Sequence, residues 1–284
     1  MPKKASIDLH VHPFIGNNTI EDVVGAMDTT GLDVVALEAL DQSIHPSVEQ
    51  MVREKYPDSV FDPSGIRLPN GNYILNAREY GTKEDLHLIT VGHSVDEATP
   101  QTEIRKVIDA GLEHGALVLL DHPFVDNGRT KTAGHISAEL EQELERICKE
   151  YSGQIALEWN GYCIPWIRNV LKNCLNIFGT GIRYHDVNKK AEELSEKLQK
   201  EGYNVPVVPD TDLHARRKGH LKYMGRARII TEIDGETPRE VVDSMKRNVF
   251  ERRYEDVKKP VGALHLVEAF CLPVILPYFR KPRA

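Results

Sequence analysis

The chain has 284 residues, 40% of them hydrophobic and 28% charged, which is ordinary for a globular protein of one large domain or two small ones. Its formal net charge of −7 argues against broad nonspecific binding to nucleic acid, so no stable nucleic-acid partner is expected. The four cysteines form no CxxC pair and no apolar segment follows the charged N-terminus, so we expect a cytoplasmic protein that needs no disulfides.

The predicted elements alternate between strands and helices along most of the chain. In chain order they are a strand (5–11), a helix that Thr19 caps, a strand (33–38), a helix (46–55), a hairpin with a turn at Asn70-Gly71 (66–75) and a strand (86–91). Then follow helices at 102–114, 137–151, 187–201 and 238–247 and strands at 116–120, 154–157, 205–208 and 228–231. This alternation implies a parallel sheet or a barrel, and we expect one domain over residues 1–260.

Residues 261–284 form a segment of different character. The longest apolar stretch of the chain lies here, over 263–279, and it also contains two prolines, His265 and Glu268. A membrane span needs about 20 mostly apolar residues, so no membrane partner is expected. We expect this tail to be helical in part and to pack on the barrel, or to form a dimer contact in a homo-oligomer.

The first predicted strand carries an acid and two imidazoles at alternate positions. Side chains two residues apart on a strand point the same way, so Asp8, His10 and His12 are predicted to share one face. Three polar groups on one face of a buried strand are costly unless something binds them. A metal ion is the simplest explanation of this pattern.

Most of the other predicted strands also end in an imidazole or a carboxylate. These strand-end side chains are Glu79, His93, Asp121, His122, Glu158, Asp210, Asp212 and His214. In α/β barrels the C-terminal ends of the strands build the active site, so we expect the groups to converge. Mixed nitrogen and oxygen ligands suit Zn, Mn or Fe. His87 alternates with apolar residues inside a strand and is interpreted as a core histidine.

These motifs give the sequence a resemblance to the PHP (polymerase and histidinol phosphatase) family of metal-dependent phosphoesterases. The matching segments run in the family's order from about residue 5 to residue 231; they are Asp8–His12, Ala77–Glu79, Val91–His93, Leu120–Pro123, Ala156–Gly161, Pro209–His214 and Met224–Arg226. The resemblance implies a distorted (β/α)7 barrel of the TIM type, with two or three metals at the strand ends.

The resemblance also implies which residues bind the metals. One ion would be held by His10, His12, Glu79 and Asp212, and a second would share Glu79 and add His93 and His122. His214 would belong to a third site in members of the family that bind three metals.

Two segments depart from the family pattern at that third site. An acid or histidine is missing from Ile15–Asn18, and a Thr-Asp-His is replaced by Glu38–Leu40; Asp41 or His45 would be the substitutes. We therefore expect two divalent metals, with His214 either a terminal ligand or a general acid. His214 and Asp212 are the predicted catalytic residues.

Further residues are assigned supporting roles. Asp8, Glu158 and Asp210 are interpreted as acids that orient the ligands, because carboxylates commonly hold metal-binding histidines in place. A basic run begins one residue after His214 and contains Arg216, Arg217 and Lys218. Arg forks match phosphate oxygens, so these cations are predicted to bind the phosphate of a small anionic substrate. A solvated loop is the alternative interpretation of the run.

Together these features predict that the protein hydrolyses a phosphate ester with a water molecule that the metals activate. Neither a GxSxG elbow nor a P-loop is present in the sequence, which argues against a covalent hydrolase or a kinase. Two alternatives stay open: an amidohydrolase-type enzyme that cleaves C–N or C–O bonds, and a non-catalytic metal-binding regulatory protein. Histidinol phosphate, a nucleotide 3′,5′-bisphosphate and oligonucleotide ends all fit as substrates.

Overall fold

The computed structural model describes residues 2–38, 48–93, 102–125, 136–161, 186–262 and 265. Its strands are β1 (Lys3–His12), β2 (Val34–Glu38), β3 (Val60–Asp62), β4 (Gly65–Arg67), β5 (Tyr73–Gly81), β6 (His87–Val91), β7 (Leu117–Asp121), β8 (Ile155–Asn160), β9 (Val207–Asp210), β10 (Leu213–His214), β11 (Ala227–Ile233) and β12 (Tyr254–Lys258). The helices within these ranges are α1 (Ile20–Thr30), α2 (Val48–Lys55), α3 (Ile104–Glu113), α4 (Ala138–Glu150), α5 (Val187–Lys200) and α6 (Pro238–Phe250).

One curved sheet runs through the structure in the order β12-β11-β1-β2-β5-β6-β7-β8-β9. The strands β1, β2 and β5 pair in parallel, and so do β7, β8 and β9. The sheet curls until its ends approach, since β10 pairs with β1 and the Tyr254 hydroxyl donates to the Val207 carbonyl at 2.9 Å. The result is a nearly closed, distorted barrel of the (β/α)7 kind, which confirms the predicted fold class.

The strand β6 runs in the opposite direction to its neighbours β5 and β7. It follows β5 through a tight turn, in which the Thr82 N–H donates to the Leu86 carbonyl at 3.1 Å and Asp85 adopts a φ of 66°. Such a short connection permits only antiparallel pairing, because a parallel crossover needs a dozen or more residues. His87 therefore pairs with Asp121, and the start of β6 lies at the end of the barrel where its neighbours finish.

The interior of the barrel is apolar at one end and polar at the other. Inward-facing apolar residues of the strands form a buried cluster that includes Ile7, Leu75, Ile89, Leu119 and Ala156, and α6 packs against it with Val241, Val242 and Met245. The Arg239 guanidinium of α6 donates to the carbonyl of His114, just before β7 begins, at 2.8 Å. Helix α6 therefore closes the end of the barrel at which the parallel strands start, which leaves the other end for the polar groups.

Part of the predicted tail belongs to the described residues. Val261 is buried in the core beside α1, and the ring of His265 makes an edge contact with His220 at a centroid distance of 4.3 Å. Residues 263–264 and 266–284 lie outside the described ranges, so the packing or dimer contact of the tail stays a prediction. Within the part of the chain that the structure describes, no helix has both the length and the apolar character needed to cross a bilayer.

Candidate metal centre

Imidazole and carboxylate side chains from most of the barrel strands meet at its polar end. They are His10 and His12 of β1, Glu38 of β2, Glu79 of β5, His87 of β6, Asp121 and His122 at the end of β7, Glu158 of β8, and Asp212 and His214 after β9. The chain brings them together because parallel strands all finish at this end and the reversed strand β6 begins here.

A first ligand group consists of His10, His12 and Asp212, all nearly inaccessible to solvent. The Nε2 atoms of the two histidines are 2.8 Å apart. Oδ1 of Asp212 lies 3.7 Å from Nε2 of His10 and 3.4 Å from Nε2 of His12. Ligands bonded to one ion at about 2.0–2.2 Å are themselves roughly 3 to 3.5 Å apart. The three atoms can therefore surround a single divalent ion.

A second group consists of Glu79, His87, Asp121 and His122, whose ligand atoms lie within 4.8 Å of one another. The Nδ1 atom of His87 is 2.5 Å from Oε1 of Glu79, and Nε2 of His122 is 3.1 Å from Oδ2 of Asp121. The other Glu79 oxygen, Oε2, is 3.6 Å from Nε2 of His12. The carboxylate of Glu79 thus lies between the two groups and can contribute an oxygen to each.

The second ring nitrogen of His10 faces carboxylates. Its Nδ1 lies 3.0 Å from Oε1 of Glu158 and 3.4 Å from Oδ1 of Asp121. The other Glu158 oxygen accepts the backbone N–H of His122 at 2.6 Å. Metal-binding histidines commonly donate their second N–H to a carboxylate, which fixes the tautomer and the ring orientation. Glu158 therefore holds the His10 ring and the His122 backbone in one arrangement.

Glu38 stands in the same relation to His12. Its Oε2 lies 3.6 Å from Nδ1 of His12, and its Oε1 accepts the backbone N–H of Glu79 at 3.1 Å. No role was predicted for Glu38, because it falls where the family pattern breaks. Its position at the end of a strand, after the apolar run of β2, was the only signal that could have found it.

The residues present fit a bound divalent cation. Several buried atoms at this end have no hydrogen-bond partner among the described residues: His12 Nδ1, Glu38 Oε2, both carboxylate oxygens of Asp121, His122 Nδ1 and Asp212 Oδ1. Burying carboxylate oxygens without a partner is costly, and a cation would remove that cost. The mixture of imidazole nitrogens and carboxylate oxygens suits Zn, Mn or Fe.

The charges in the cluster also favour a cation. Burial raises the pKa of Asp212 and of Glu79, but neighbouring histidines outweigh it and hold both values well below the ordinary range. Burial likewise lowers the pKa of His12, but Asp212 and Glu38 raise it to about 9. The two carboxylates are therefore ionised at neutral pH and supply the negative charge that attracts a metal ion.

The backbone is strained at two of these residues. His122 has a φ of 28° and Asp212 a φ of 47°, in a region that non-glycine residues rarely adopt. Such strain concentrates at functional sites and persists only where the surroundings enforce it. Here Glu158 holds the backbone of His122, and the loop that carries Asp212 is tied down by Asp8.

The alternating pattern predicted that Asp8 shares one face with His10 and His12, but in the structure its carboxylate faces away from the metal centre. Its carboxylate accepts the backbone N–H of Thr211 at 3.1 Å, the Thr211 hydroxyl at 2.6 Å and the backbone N–H of Gly225 at 2.8 Å. The pairing of β1 with β2 shifts register between Asp8 and Val11, which interrupts the alternation. Burial raises the pKa of Asp8 to about 6, although these hydrogen bonds oppose the shift.

His93 lies outside the site, contrary to its predicted role as a ligand. Its ring stacks on His114 with the centroids 4.1 Å apart, at the end of the barrel that α6 closes. The reason is the direction of β6, which carries His93 away from the site and His87 into it. The interpretation of His87 as a core histidine is wrong as well, because its side chain is 26% exposed and contacts Glu79.

His214 lies at the outer edge of the first ligand group. Its Nδ1 is 2.9 Å from the backbone carbonyl of Asp212 and 3.3 Å from Oδ1 of the same residue, and its side chain is 20% exposed. Its ring centroid is 4.3 Å from that of His12. Asp210, by contrast, is fully buried; burial and the charge of Glu158 raise its pKa well above the ordinary value.

The basic run has contacts of its own on the protein surface. Lys218 pairs with Asp22 of α1 at 2.6 Å, and Nε of Arg217 donates to Nε2 of His220 at 2.9 Å. Arg216 is exposed on the same loop. The predicted binding of substrate phosphate by Arg216, Arg217 and Lys218 therefore stays a prediction.

The two segments that depart from the family pattern at the third metal site are only partly within the described residues. In Ile15–Asn18, the Asn18 amide donates to the backbone carbonyls of Pro13 and Ala215, both at 2.6 Å, so it joins two loops. Asp41 and His45, the predicted substitutes, lie outside the described residues.

Comparison with known proteins gives likenesses of fold. No family model and no curated protein matches the sequence. The structure is similar to PsfC from Pseudomonas syringae PB-5123, with 14% identity and a TM-score of 0.54 over 96% of this chain and 99% of that one. It is similar to the lesion-specific endonuclease PfuEndoQ from Pyrococcus furiosus, with 14% identity and a TM-score of 0.52 over 89% of this chain and 58% of that one.

A third similar structure is a two-domain protein from Bacteroides vulgatus that contains a predicted PHP-like metal-dependent phosphoesterase. It has 13% identity and a TM-score of 0.49 over 90% of this chain, which spans 65% of that protein's length. At 14% identity, the likenesses to PsfC and to the endonuclease establish the fold alone, a nearly closed barrel of strands and helices.

Proposed function

We propose that the protein is a metal-dependent phosphoesterase that hydrolyses a phosphate ester with water. The observation that carries the proposal is the pair of ligand groups joined by the carboxylate of Glu79. Two adjacent divalent ions suit phosphoryl transfer, because they can stabilise both the attacking and the leaving oxygen of an in-line displacement. That one protein of similar fold is an endonuclease, and so cleaves phosphate esters, supports this class of reaction.

The protein groups divide between two ions in this proposal. His10, His12 and Asp212 would hold one, and His87, Asp121 and His122 would hold the other, with Glu79 shared. When bound, the ions would supply Lewis acidity, which lowers the pKa of a water molecule and neutralises charge on the phosphate oxygens. Glu158 and Glu38 keep the rings of His10 and His12 turned toward the ions.

His214 is the proposed proton donor to the leaving alkoxide. When both ring nitrogens carry a proton, the Nδ1–H donates to the backbone carbonyl of Asp212, and Oδ1 of the Asp212 carboxylate lies 3.3 Å from the same nitrogen. The proton on Nε2 is then available to a substrate at the partly exposed edge of the site. General acids of this kind contribute about 10²–10⁴-fold to a rate.

The proposed substrate is an anionic phosphate ester. Arg216 and its basic neighbours, on the loop that follows His214, are the residues proposed to bind its phosphate. A phosphomonoester or a nucleotide-type ester is the proposed substrate class. Because one protein of similar fold is an endonuclease, oligonucleotide ends belong in the substrate panel.

The test is a substrate screen with a metal control. Purified protein loaded with Mn²⁺ is offered phosphate monoesters, nucleotide 3′,5′-bisphosphates and short oligonucleotides, and in parallel a set of amides and lactones. We expect hydrolysis of a phosphate ester that a chelator abolishes and Mn²⁺ restores. Turnover of amides or lactones alone would identify an amidohydrolase. Turnover of neither set, with few or no metal ions bound, would contradict the proposed catalysis and favour the non-catalytic alternative.

A further inference from the structure

Asn160, the last residue of β8, lies between two carboxylates of the metal centre. Its side-chain NH₂ donates to Oε2 of Glu158 at 3.0 Å and to Oδ2 of Asp212 at 2.8 Å. An amide NH₂ carries two hydrogens, so each carboxylate receives one. Both neighbours are acceptors, which fixes the orientation of the amide with its nitrogen toward them.

The two hydrogen bonds determine how these carboxylates face the histidines. With one oxygen of Glu158 bound to Asn160, the other lies 3.0 Å from Nδ1 of His10. With one oxygen of Asp212 bound to Asn160, the other lies 3.4 Å from Nε2 of His12. Two buried anions repel each other, and a neutral donor between them relieves part of that repulsion while it sets the rotation of each group.

Asn160 is itself held by a second amide, that of Asn188 in α5. The backbone N–H of Asn160 donates to Oδ1 of Asn188, and Nδ2 of Asn188 donates to the backbone carbonyl of Asn160, both at 2.9 Å. Asn188 lies in the first turn of α5, and both asparagines are more than nine-tenths buried. The peptide units on either side of the Asn160 Cα are thus fixed by one side chain.

We propose that Asn160 is a positioning residue for Asp212, a metal ligand in the proposed function, and for Glu158, which orients the His10 ring, and that Asn188 holds Asn160 in place. The inference rests on the proposed function, because it assigns these amides a task at that metal centre. Residues that orient metal ligands typically contribute about 10–100-fold to metal affinity. Asn160 is therefore expected to affect the binding of the ion itself, before any substrate is present.

The substitution Asn160→Asp tests this with almost no change in shape, because it replaces the donor by a third carboxylate. Asn188→Ala leaves Asn160 in place but removes its support. Asn248 provides the matched control: it is a buried asparagine at the other end of the barrel, and its amide donates to the Glu232 carbonyl. Asn248→Asp thus makes an equivalent change at a position remote from the metal centre.

The measurement is Mn²⁺ binding to the full chain by titration calorimetry, with the electron paramagnetic resonance spectrum of the bound ion as a probe of its ligands. We expect Asn160→Asp to weaken binding about 10–100-fold and to change the spectrum, and Asn188→Ala to weaken it less. Asn248→Asp should bind as the unaltered protein does. Thermal unfolding in the absence of metal shows that each variant is folded.

Two results would overturn the inference while the metal centre stands: unaltered Mn²⁺ affinity in Asn160→Asp, or an equal loss in Asn248→Asp, which would reveal a general effect of lost stability. If the unaltered protein itself bound no metal, the proposed function would fail and the inference with it. The two failures are therefore distinguishable in one series of titrations.

Discussion

Histidines occur at both ends of the barrel, but their surroundings differ. At the polar end, carboxylates surround the rings, and in the part of the chain that the structure describes both Asp121 oxygens and Oδ1 of Asp212 are buried without a hydrogen-bond partner. At the end that α6 closes, His93 stacks on His114 beside cations: Arg239 donates to the His114 carbonyl at 2.8 Å, and Lys246 to the Gly115 carbonyl at 2.9 Å.

This difference indicates that the neighbours of an imidazole decide whether it is suited to bind a metal ion. Cations next to a ring repel a metal ion, whereas buried carboxylate oxygens that accept no hydrogen bond attract one. The polar end carries the proposed chemistry and the other end stabilises the fold. A substitution at one end can therefore be judged against a matched substitution at the other.

The largest effect is expected from His12→Ala. His12 lies next to Asp212, Glu79 and Glu38, so its removal should take away one ion and abolish phosphate release. Metal content by mass spectrometry and turnover with a phosphate ester measure the effect. The control is His114→Ala at the other end, which should retain both. Undiminished turnover in His12→Ala would disprove the assignment of this end as the active site.

A sharper comparison sets His87→Ala against His93→Ala. His87 is the first residue of β6 and His93 lies two residues after its last, so they are at opposite ends of the barrel, and of the two only His87 contacts Glu79. We expect His87→Ala to lower the affinity for the second ion by about 100-fold and His93→Ala to leave it unchanged, because one ligand of a cluster is lost in the first case alone. Titration with Mn²⁺ measures both. The reverse result would mean that β6 runs the other way.

A smaller effect is expected from Glu38→Gln. The substitution keeps the size of the side chain but removes the charge that faces Nδ1 of His12, so metal affinity should fall by about tenfold. Glu240→Gln, a change in the exposed capping box of α6, serves as the control. Equal affinities of Glu38→Gln and the unaltered protein would show that Glu38 has no part in holding His12.

The pH dependence of stability should also differ between metal-free and metal-loaded protein. The raised pKa of His12, about 9, gives stability that is present below pH 6.5 and lost as the pH rises through 9. Burial and Glu158 raise the pKa of Asp121 to about 7. The stability that this protonated carboxyl gives is likewise lost on raising the pH, in this case through 7.

Metal-free protein should therefore be less stable at pH 9 than at pH 6, by on the order of 1–2 kcal/mol. Chemical denaturation at the two pH values measures the difference. Bound metal should reverse the trend, since deprotonated ligands bind it more tightly at high pH. A metal-free protein that becomes more stable as the pH rises would contradict the assignment of these groups.

The smallest effect is expected from Thr237→Ala, which removes the N-cap of α6. The Thr237 side chain accepts the Glu240 N–H in a capping box at 3.3 Å, so its loss should lower the free energy of unfolding by about 1 kcal/mol. Metal affinity should not change, because α6 lies at the other end. A loss of affinity here would show that the two ends are coupled.

Much of the fold followed from the sequence because local signals agreed with one another. The hairpin at Asn70-Gly71 appears as β4 paired with β5, and the helix that Thr19 caps begins at Ile20 with the capping box formed. The strand β12 was not predicted. Its residues are largely polar, and it forms as the outer partner of β11 rather than through a pattern of its own.

The candidate site was predictable in its composition and less so in its arrangement. Strand ends indicated His10, His12 and Glu79, because an imidazole or a carboxylate at the end of a buried strand is costly unless it binds a partner. The direction of β6 was overlooked, although only a few residues separate it from β5. The roles of Glu38 and Asn160 depend on neighbours distant in sequence, and no local pattern reveals them.

The hairpin of β5 and β6 has a consequence for how the protein folds. Glu79 and His87 are 8 residues apart and meet as soon as the hairpin closes, whereas His12 and Asp212 are far apart in the sequence and meet only in the finished barrel. Closing a short loop costs less chain entropy than closing a long one. The second metal position is therefore expected to form early during refolding, and the first to form last.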